Sequence, residues 1–374
     1  MANLSADQRL ALITENLQEV LNKDIIEAIL AEGRSPKIYW VPAVKIAQFL
    51  AAGAEMTILI ADLHANLDSL KSTFEIVEHR AKYYEYTITA LLQAVGVSTE
   101  KLRFVRGSSY QKNADYVMDV YRLSSVVSEH DAKRAGAEIV KQSNNGPLSG
   151  LLYPLLQVLD EQYLDVDAQF GGLDQRKLFA ASTEWHPKLG YKKRAHLCNA
   201  MVPGLSGGKM SSSEEDSKID LLESIDSIKK KIRKAQAAPK EIDNNGILAF
   251  VQYVLLPVSA LKTGKPEFRV PRDRDGLEPL VYTDIEKMHE DYKNDILSPQ
   301  ILKPAVADAI VELTAPIRAA FDANPDWQEV TLKAYPPPAP KQKKEKKQKD
   351  KGSRHPGAAK EQTPNGEPPK PAEQ

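Results

Sequence analysis

Short apolar, β-branched runs alternate with longer helical patterns from the N-terminus to Glu223. The predicted strands are Lys37–Trp40, Met56–Ala61, Leu102–Val105, Leu164–Ala168 and His196–Met201. The predicted helices are Val44–Ala52, Ser69–Ala94, Ala132–Gln142, Gly150–Gln162 and Asp174–Glu184. This alternation is typical of the α/β class, with a doubly wound, Rossmann-like parallel sheet covered by helices on both faces. Ligands of such folds bind beyond the carboxyl ends of the strands, so polar residues there are of most interest.

The pattern changes after Glu223. Apolar residues from Ser224 to Ala334 follow helical spacing, as Ile225, Ile228 and Ile232 do, which predicts a separate helical domain. Beyond it, proline and lysine dominate and few apolar residues remain to be buried, which predicts a disordered basic tail. We therefore predict a Rossmann-like domain at 1–223, a helical domain at 224–335 and the tail at 336–374.

Composition places the chain among ordinary globular proteins. Of its 374 residues, 42% are hydrophobic and 27% charged, and no apolar run approaches the ~20 residues of a membrane span. A single cysteine, Cys198, and a polar N-terminus favour a reducing, cytoplasmic location without a membrane anchor. The net charge of −1 conceals a tail from Lys341 with ten basic and five acidic residues. Such a tail favours an anionic partner such as nucleic acid, or simply adds solubility.

One predicted helix carries a polar stripe. In the stretch Leu151–Asp160, Tyr153, Gln157 and Asp160 fall at positions i, i+4 and i+7, and Pro154 suits a first helical turn. The remaining positions are apolar, so the helix is expected to be buried nearly all round. A solvent-facing stripe is the alternative. Because buried polar side chains are costly without partners, the stripe predicts a ligand pocket.

A glycine pair follows the next predicted strand. Gly171 and Gly172 permit a tight turn and a close approach of the backbone. Asp174 and Gln175 come next, at a helix start. The Asp174 carboxylate suits ribose hydroxyls and the Gln175 amide suits a carbonyl, with plain helix capping as the alternative.

A loop after the last predicted strand carries hydroxyl groups around one lysine. It reads Gly-Gly-Lys-Met-Ser-Ser-Ser over residues 207–213. Lys209 can pair with phosphate oxygens while Ser211, Ser212 and Ser213 donate hydrogen bonds. A capping box at Ser211 and Glu214 is the alternative.

In combination, the buried stripe, the Asp-Gln helix start and the Lys-Met-Ser-Ser-Ser loop resemble tyrosyl-tRNA synthetase, in the eukaryotic and archaeal cytosolic branch of class I. Supporting stretches are Ile58–Asp68, Tyr121–Asp131 and Ala168–Lys177, and the resemblance spans about residues 8–335. It implies a tyrosine–tRNA ligase that activates tyrosine with ATP and transfers it to the 3′ end of tRNA(Tyr). It further implies a homodimer, an anticodon-binding role for the helical domain, and Mg²⁺ on the phosphates without a protein-bound metal.

The resemblance also implies roles for individual residues. The phenol hydroxyl of tyrosine is expected to meet Tyr39 and Asp160. The amino and carboxylate groups are assigned to Tyr153, Gln157 and Gln175, with Ala61 and His64 lining the pocket. The remaining assignments are Asp174 for the ATP ribose, Lys209, Met210, Ser211, Ser212 and Ser213 for the pyrophosphate and catalysis, and Lys133 and Arg134 for tRNA. A site that pairs with a substrate hydroxyl rejects phenylalanine by roughly 10⁴–10⁵, a figure established on this same family.

At one point the sequence departs from the family pattern. The family carries a glycine-containing loop and a His-Ile-Gly-His-type motif after the first strand, which hold the other side of ATP. Here the strand ends at Trp40 and Pro42 already suits a helical first turn, so the connection is almost absent and about a dozen family residues are missing. We expect tyrosine binding to survive and ATP geometry to be lost, because two lost donors at ~3 kcal/mol each cost roughly four orders of magnitude in rate.

Several alternatives remain open. The gap arises from a misassigned exon, a splice variant or a genuine loss. A non-catalytic isoform or paralogue that binds tRNA or dimerises with the intact enzyme is the second functional hypothesis. Tryptophanyl-tRNA synthetase shares the fold, but paired acceptors for a phenol at Tyr39 and Asp160 argue against it.

Overall fold

The structure is a computed structural model that describes residues 4–39, 43–68, 73–140, 146–208, 215–273 and 276–336. The strands within these ranges are β1 (Leu17–Leu21), β2 (Lys37–Tyr39), β3 (Glu55–Ile60), β4 (Leu102–Arg106), β5 (Ala168–Gly172), β6 (Ala195–Asn199), β7 (Phe268–Val270) and β8 (Leu280–Tyr282).

The helices fall into two groups along the chain. Those up to Glu223 are α1 (Ala6–Thr14), α2 (Lys23–Ala31), α3 (Ala43–Ala51), α4 (Asp62–Asp68), α5 (Phe74–Ala94), α6 (Ala114–Val126), α7 (Glu129–Ala135), α8 (Ser149–Tyr163) and α9 (Arg176–Trp185). Those after it are α10 (Ile225–Lys234), α11 (Gly246–Phe250), α12 (Leu256–Thr263), α13 (Ile285–Lys293), α14 (Pro299–Asp322) and α15 (Pro325–Ala334). A π-helical segment, Val251–Leu255, joins α11 to α12.

The main sheet has the strand order β1-β6-β5-β2-β3-β4. Strands β2 to β6 pair in parallel, which confirms the predicted Rossmann-like α/β fold, while β1 joins β6 antiparallel at the edge. The chain leaves β2 towards β3 on one side and returns to β5 on the other. The order therefore reverses between β2 and β5, which is where this type of fold opens a crevice for a ligand.

The two faces of the sheet differ in chemistry. Alternate residues such as Ile38, Ile58 and Phe170 face a large apolar core that includes side chains from α1, α2, α3 and α5. The intervening residues face the side of the sheet on which α8 lies, as the contact between Tyr39 and Gln157 demonstrates. Because side chains alternate along a strand, the continuous core on one face leaves the other free to carry polar groups.

Several element boundaries differ from the predictions. β5 begins at Ala168 rather than Leu164, because the preceding residues close the end of α8: the Asp165 and Val166 amides bond to carbonyls of that helix. The helix predicted at Ala132–Gln142 ends at Ala135, ahead of Gly136. The sequence interpretation also missed α1, β1, α2 and α6.

Pro154 lies in the interior of a helix, not in its first turn as predicted. α8 begins at Ser149, so Pro154 is its sixth residue. A proline in a helix interior removes one backbone hydrogen bond.

Residues 40–42, which lie between the last described residue of β2 and the first of α3, are outside the described ranges. The predicted near-absent connection after Trp40 falls on these residues and stays a prediction.

After Glu223 a second apolar cluster forms around buried residues such as Ile228, Ile247, Val306 and Ile310. Two short antiparallel strands, β7 and β8, lie in this helical region, where the sequence pattern indicated none. Residues up to Pro336 form one compact unit. The predicted domain boundary at residue 223 stays a prediction, and the tail after Pro336 lies outside the described residues.

One helical stretch, Gly246–Thr263, is long and apolar enough to cross a membrane by length and composition alone. Half of it is buried within the fold. Ile247, Leu248 and Leu255 belong to the apolar cluster of the helical region. Its composition is therefore accounted for by core packing.

Candidate active site

The predicted site residues come together where the strand order reverses. Tyr39 is the last residue of β2, is 1% exposed, and donates a hydrogen bond from its hydroxyl to the Gln157 carbonyl oxygen at 3.3 Å. The His64 ring lies edge-on to the Tyr153 ring, with centroids 4.8 Å apart. We call Tyr39, His64, Tyr153, Gln157 and Asp160 the α8 site.

The polar stripe on α8 is buried as the sequence predicts. Asp160 is 0% exposed and Gln157 7%, while Tyr153 is half-buried. The apolar neighbours of the stripe, such as Leu156 and Leu159, pack into a cluster with α6 and α7. The stripe therefore points into protein rather than into bulk water.

The two oxygens of Asp160 have different surroundings. Oδ1 accepts three hydrogen bonds, from the Tyr110 hydroxyl at 2.7 Å, the Gln111 amide at 2.7 Å and the Tyr116 hydroxyl at 2.9 Å. Oδ2 accepts none within the described part of the chain, and His64 Nε2 lies 3.5 Å from it. One oxygen is thus anchored while the other is available to a ligand.

Burial governs the titration of this site. It raises the pKa of Asp160, although His64 and the hydrogen bonds from Gln111, Tyr110 and Tyr116 act in the opposite direction. It lowers the pKa of His64, against the attraction of Asp160. Burial, together with the nearby carboxylates, raises the pKa of Tyr39 well above its ordinary value, so Tyr39 remains a hydroxyl donor.

His64 has a further unusual property. It is 3% exposed, and neither ring nitrogen makes a hydrogen bond to a protein group that the structure describes. Buried imidazole nitrogens normally have partners. An unpaired ring beside the unpaired Asp160 oxygen indicates a polar guest at this position.

The turn after β5 is joined to α8 by a side-chain hydrogen bond. The Gln157 amide donates to Gln175 Oε1 at 2.9 Å. A Cβ on Gly171 would stand 2.8 Å from a Phe179 ring atom and 2.9 Å from Gln175, so a glycine is required for this close approach. Asp174 is half-buried and its carboxylate lies against Gly172. Both glycines belong to the end of β5 rather than to a turn after it, and side chains of the following turn and helix pack closely against them.

The remaining predicted site residues lie after β3, on α7 and in the predicted loop at 209–213. Ala61 directly follows β3 and is half-buried. Lys133 and Arg134 lie on α7 with largely exposed side chains, which pair with Glu129 and Asp131. The loop residues Lys209, Met210, Ser211, Ser212 and Ser213 lie outside the described residues.

Sequence reasoning missed the three donors that hold Asp160. Tyr110 and Gln111 follow β4 after one short 3₁₀ turn, and Tyr116 lies on α6. The rule that polar residues after a strand matter would have found Tyr110 and Gln111. Tyr116 carries no such signal, because nothing local indicates that it reaches α8.

Comparison with known proteins decides the family. The family model described as tRNA synthetases class I (W and Y) matches residues 38–315, which is most of the chain. The chain belongs to this family. Membership implies ATP and tRNA as substrates, and it confirms the class I resemblance drawn from the sequence.

Individual relatives indicate the branch of the family that the chain resembles. A cytoplasmic tyrosine–tRNA ligase of Saccharomyces cerevisiae is 52% identical over 377 residues, covering 96% of each chain. One of Danio rerio is 50% identical over 349 residues, covering 90% of this chain and 64% of that protein. The crystal structure of tyrosyl-tRNA synthetase with L-tyrosine from Archaeoglobus fulgidus superposes with a TM-score of 0.77 at 31% identity, covering 85% of this synthetase and 99% of that one.

Proposed function

We propose that this synthetase is a cytoplasmic tyrosine–tRNA ligase whose amino-acid pocket is the α8 site. The observation that carries the proposal is that Asp160 Oδ2 and His64 lie near each other and near the Tyr39 hydroxyl. Both are buried, and neither has a hydrogen-bond partner in the described residues. The phenol hydroxyl of a bound tyrosine can donate a hydrogen bond to the Asp160 carboxylate and accept one from the Tyr39 hydroxyl. The similarity to named tyrosine–tRNA ligases supports the same assignment.

The proposed roles run from the phenol group of the bound tyrosine to the nucleotide and the tRNA. Tyr39 and Asp160 hold the phenol hydroxyl, and His64 and Ala61 line the ring. Tyr153, Gln157 and Gln175 hold the amino and carboxylate groups. Asp174 holds the ATP ribose, the loop of Lys209, Met210, Ser211, Ser212 and Ser213 the pyrophosphate, and Lys133 and Arg134 the tRNA acceptor end.

In the proposed reaction the tyrosine carboxylate attacks the α-phosphorus of ATP and pyrophosphate leaves. A hydroxyl of the tRNA terminal ribose then attacks the carbonyl of tyrosyl-adenylate and AMP leaves. The first nucleophile is already ionised, so orientation and charge stabilisation contribute more than proton removal. Mg²⁺ is proposed to enter bound to the nucleotide phosphates, as it commonly does in enzymes that use ATP.

We further propose that the chain lacks the first phosphate-binding loop of its family. Support comes from the yeast alignment: 96% of the 374 residues is about 359, whereas the alignment extends over 377, so well over a dozen positions have no residue here. The three residues 40–42 between β2 and α3 contain neither glycine nor histidine. The proposed loss of this loop also favours the second candidate, a non-catalytic form that binds tRNA or dimerises with the intact enzyme.

A homodimer is proposed for the synthetase. α6 exposes Met118 by 49%, Tyr121 by 62% and Val126 by 45%. Leu148, just before α8, is 76% exposed. Exposed apolar side chains of this size favour a protein interface. Analytical ultracentrifugation of the purified chain measures its mass directly.

A reconstruction experiment tests the function and the missing loop together. The residues of the yeast relative that have no counterpart here are inserted between Trp40 and Val41, and tyrosine-dependent ATP–pyrophosphate exchange is compared with that of the unmodified chain. We expect both proteins to bind tyrosine and the insertion to raise exchange by roughly four orders of magnitude, since two or more donors to the transition state return.

The controls separate the two proposals. An inserted stretch of glycine and serine of equal length is not expected to restore exchange. Rapid exchange by the unmodified chain contradicts the missing-loop proposal. Absence of tyrosine binding by both proteins contradicts the assignment of the α8 site.

A further inference from the structure

A row of buried polar side chains crosses the sheet beneath α8. The register aligns Thr57 of β3 with Tyr39 of β2, Tyr39 with Gln169 of β5, and Gln169 with His196 of β6. Residues in register on parallel strands project from the same face of a sheet. All four are at most 3% exposed. We call Thr57, Tyr39, Gln169 and His196 the polar row.

Three members of the polar row have partners. Thr57 accepts a hydrogen bond from Arg103 Nε at 2.7 Å, and Tyr39 donates to Gln157. His196 Nε2 lies 2.8 Å from Glu161 Oε1. Gln169 differs from these, because neither its amide nitrogen nor its amide oxygen bonds to any described protein group. It is also 0% exposed, so bulk water does not reach it.

Unpaired polar atoms are concentrated at this place in the fold. Seven of the ten buried side-chain nitrogen and oxygen atoms without a partner in the described ranges belong to His64, Gln111, Asp160, Gln169 and His196. Native proteins satisfy most buried polar groups, and those left over require an explanation such as a ligand or an ordered water. The concentration around α8 indicates that a ligand and ordered waters occupy this region, rather than scattered imperfections.

We propose that Gln169 is a specificity-determining residue of the tyrosine pocket, whose amide recognises the phenol hydroxyl directly or through one ordered water. The inference rests on the proposed function of the α8 site. It adds a residue of strand β5 to the pocket residues on α8. An amide both donates and accepts, which matches a hydroxyl group, and its neighbour in the row is Tyr39.

The test replaces Gln169 by methionine, which has a similar length and no hydrogen-bonding amide. Dissociation constants for L-tyrosine and L-phenylalanine are measured by titration calorimetry on the full chain. We expect tyrosine to bind roughly tenfold more weakly, the loss of one hydrogen bond, while phenylalanine binds as well as before or better. The melting temperature without ligand should stay or rise, because the change removes two unpaired polar atoms from the interior.

A matched control is Gln48→Met. Gln48 is 3% exposed, as buried as Gln169, but its amide is paired with the Glu15 carboxylate. Its replacement should lower the melting temperature and leave the ratio of tyrosine to phenylalanine affinity unchanged. A role of Gln169 in stability alone would make the two variants behave alike, and that result would overturn the proposal.

Failure of the inference and failure of the proposed function give different results. If the unmodified chain does not bind tyrosine, the function assigned to the α8 site is wrong. If it prefers tyrosine over phenylalanine and Gln169→Met keeps the same preference, only the role of Gln169 is wrong. A crystal structure with tyrosine separates a direct contact from one through water. A Gln169 amide without any polar partner in that complex would also overturn the proposal.

Discussion

The two sides of α8 each bury one carboxylate, from consecutive residues. Asp160 and Glu161 are both 0% exposed. On the rear side, both Glu161 oxygens are paired, Oε1 with His196 and Oε2 with the Ser182 hydroxyl at 2.7 Å, and His186 stands nearby. On the pocket side, one Asp160 oxygen has three donors and the other has none in the described chain.

The difference also appears in the titration of the two acids. Burial acts to raise both pKa values. For Glu161 the attraction and hydrogen bond of His196, with help from His186 and Ser182, overcome burial and lower the pKa. For Asp160 the opposing groups do not overcome it, and the pKa is raised. A carboxylate whose partners all lie within the protein stabilises the fold, whereas one left incompletely paired is suited to a ligand.

Replacing Glu161 by alanine should give the largest effect, and that effect should be on stability. His196 loses its acceptor and Ser182 loses its partner in a buried network, so the free energy of unfolding in urea should fall by about 3–5 kcal/mol. The ratio of tyrosine to phenylalanine affinity should change much less than stability, because both Glu161 oxygens are already paired within the protein. Glu184→Ala on α9, whose exposed side chain pairs with Lys188, serves as the control and should change neither quantity measurably. A large loss of selectivity with intact stability would reverse the assignment of the two sides.

Replacing Asp160 by asparagine should give the opposite result. The variant keeps an acceptor for Tyr110, Gln111 and Tyr116 but loses the charged oxygen that faces the pocket. A hydrogen bond to a charged group contributes about 2–3 kcal/mol, so tyrosine should bind roughly 30- to 150-fold more weakly in calorimetry. Stability without ligand should be kept or increased, because a buried carboxylate becomes neutral. Unchanged tyrosine binding would contradict the pocket assignment.

The smallest expected effect is a pH dependence. Burial, against the attraction of nearby carboxylates, lowers the pKa values of His64 and His186. Below the ordinary histidine value of about 6.5, the unfolded chain therefore takes up protons that the folded chain does not, and stability should fall as the pH drops from 7 towards 5. Each histidine contributes at most about 1.4 kcal/mol per pH unit.

The variants His64→Gln and His186→Gln, followed by urea unfolding at several pH values, measure the two contributions separately. Each substitution should reduce the loss of stability that occurs between pH 7 and pH 5. The raised pKa of Asp160 acts with the opposite sign at more acidic pH, because there the folded state protonates first. A stability that does not change between pH 7 and 5 would show that neither histidine is held neutral by burial.

Prediction from sequence succeeded where the signal is local. The spacing of Tyr153, Gln157 and Asp160 within an apolar stretch was sufficient to predict a buried stripe, because a helix fixes which residues share a face. Gly171 and Gly172 indicated a tightly packed position, and side chains of Phe179, Gln175 and Asp174 do pack against them, although both glycines lie in β5. The strand edges were less certain, since Leu164 and Val166 are as apolar as a strand requires yet close the end of α8.

The partners of the predicted residues were beyond such reasoning. Tyr116 lies 44 residues from Asp160 in sequence, and nothing local distinguishes it from a core side chain. Gln169 directly follows a predicted strand, but the sequence does not indicate that its amide is left without a partner. Their importance follows from the order β6-β5-β2-β3, which aligns the polar row, and from the packing of α6 against α8. Strand order is set by long-range pairing, which local patterns do not encode.

By itself, then, the sequence determined the α/β class, the family and the side chains that carry the chemistry, because helical and strand periodicity and short motifs are properties of neighbouring residues. Only the tertiary structure decided which buried polar atoms have hydrogen-bond partners in the protein and which remain available to a ligand. That depends on atoms brought together from α4, α8, β5 and β6, and hydrogen bonds operate only over a few ångströms.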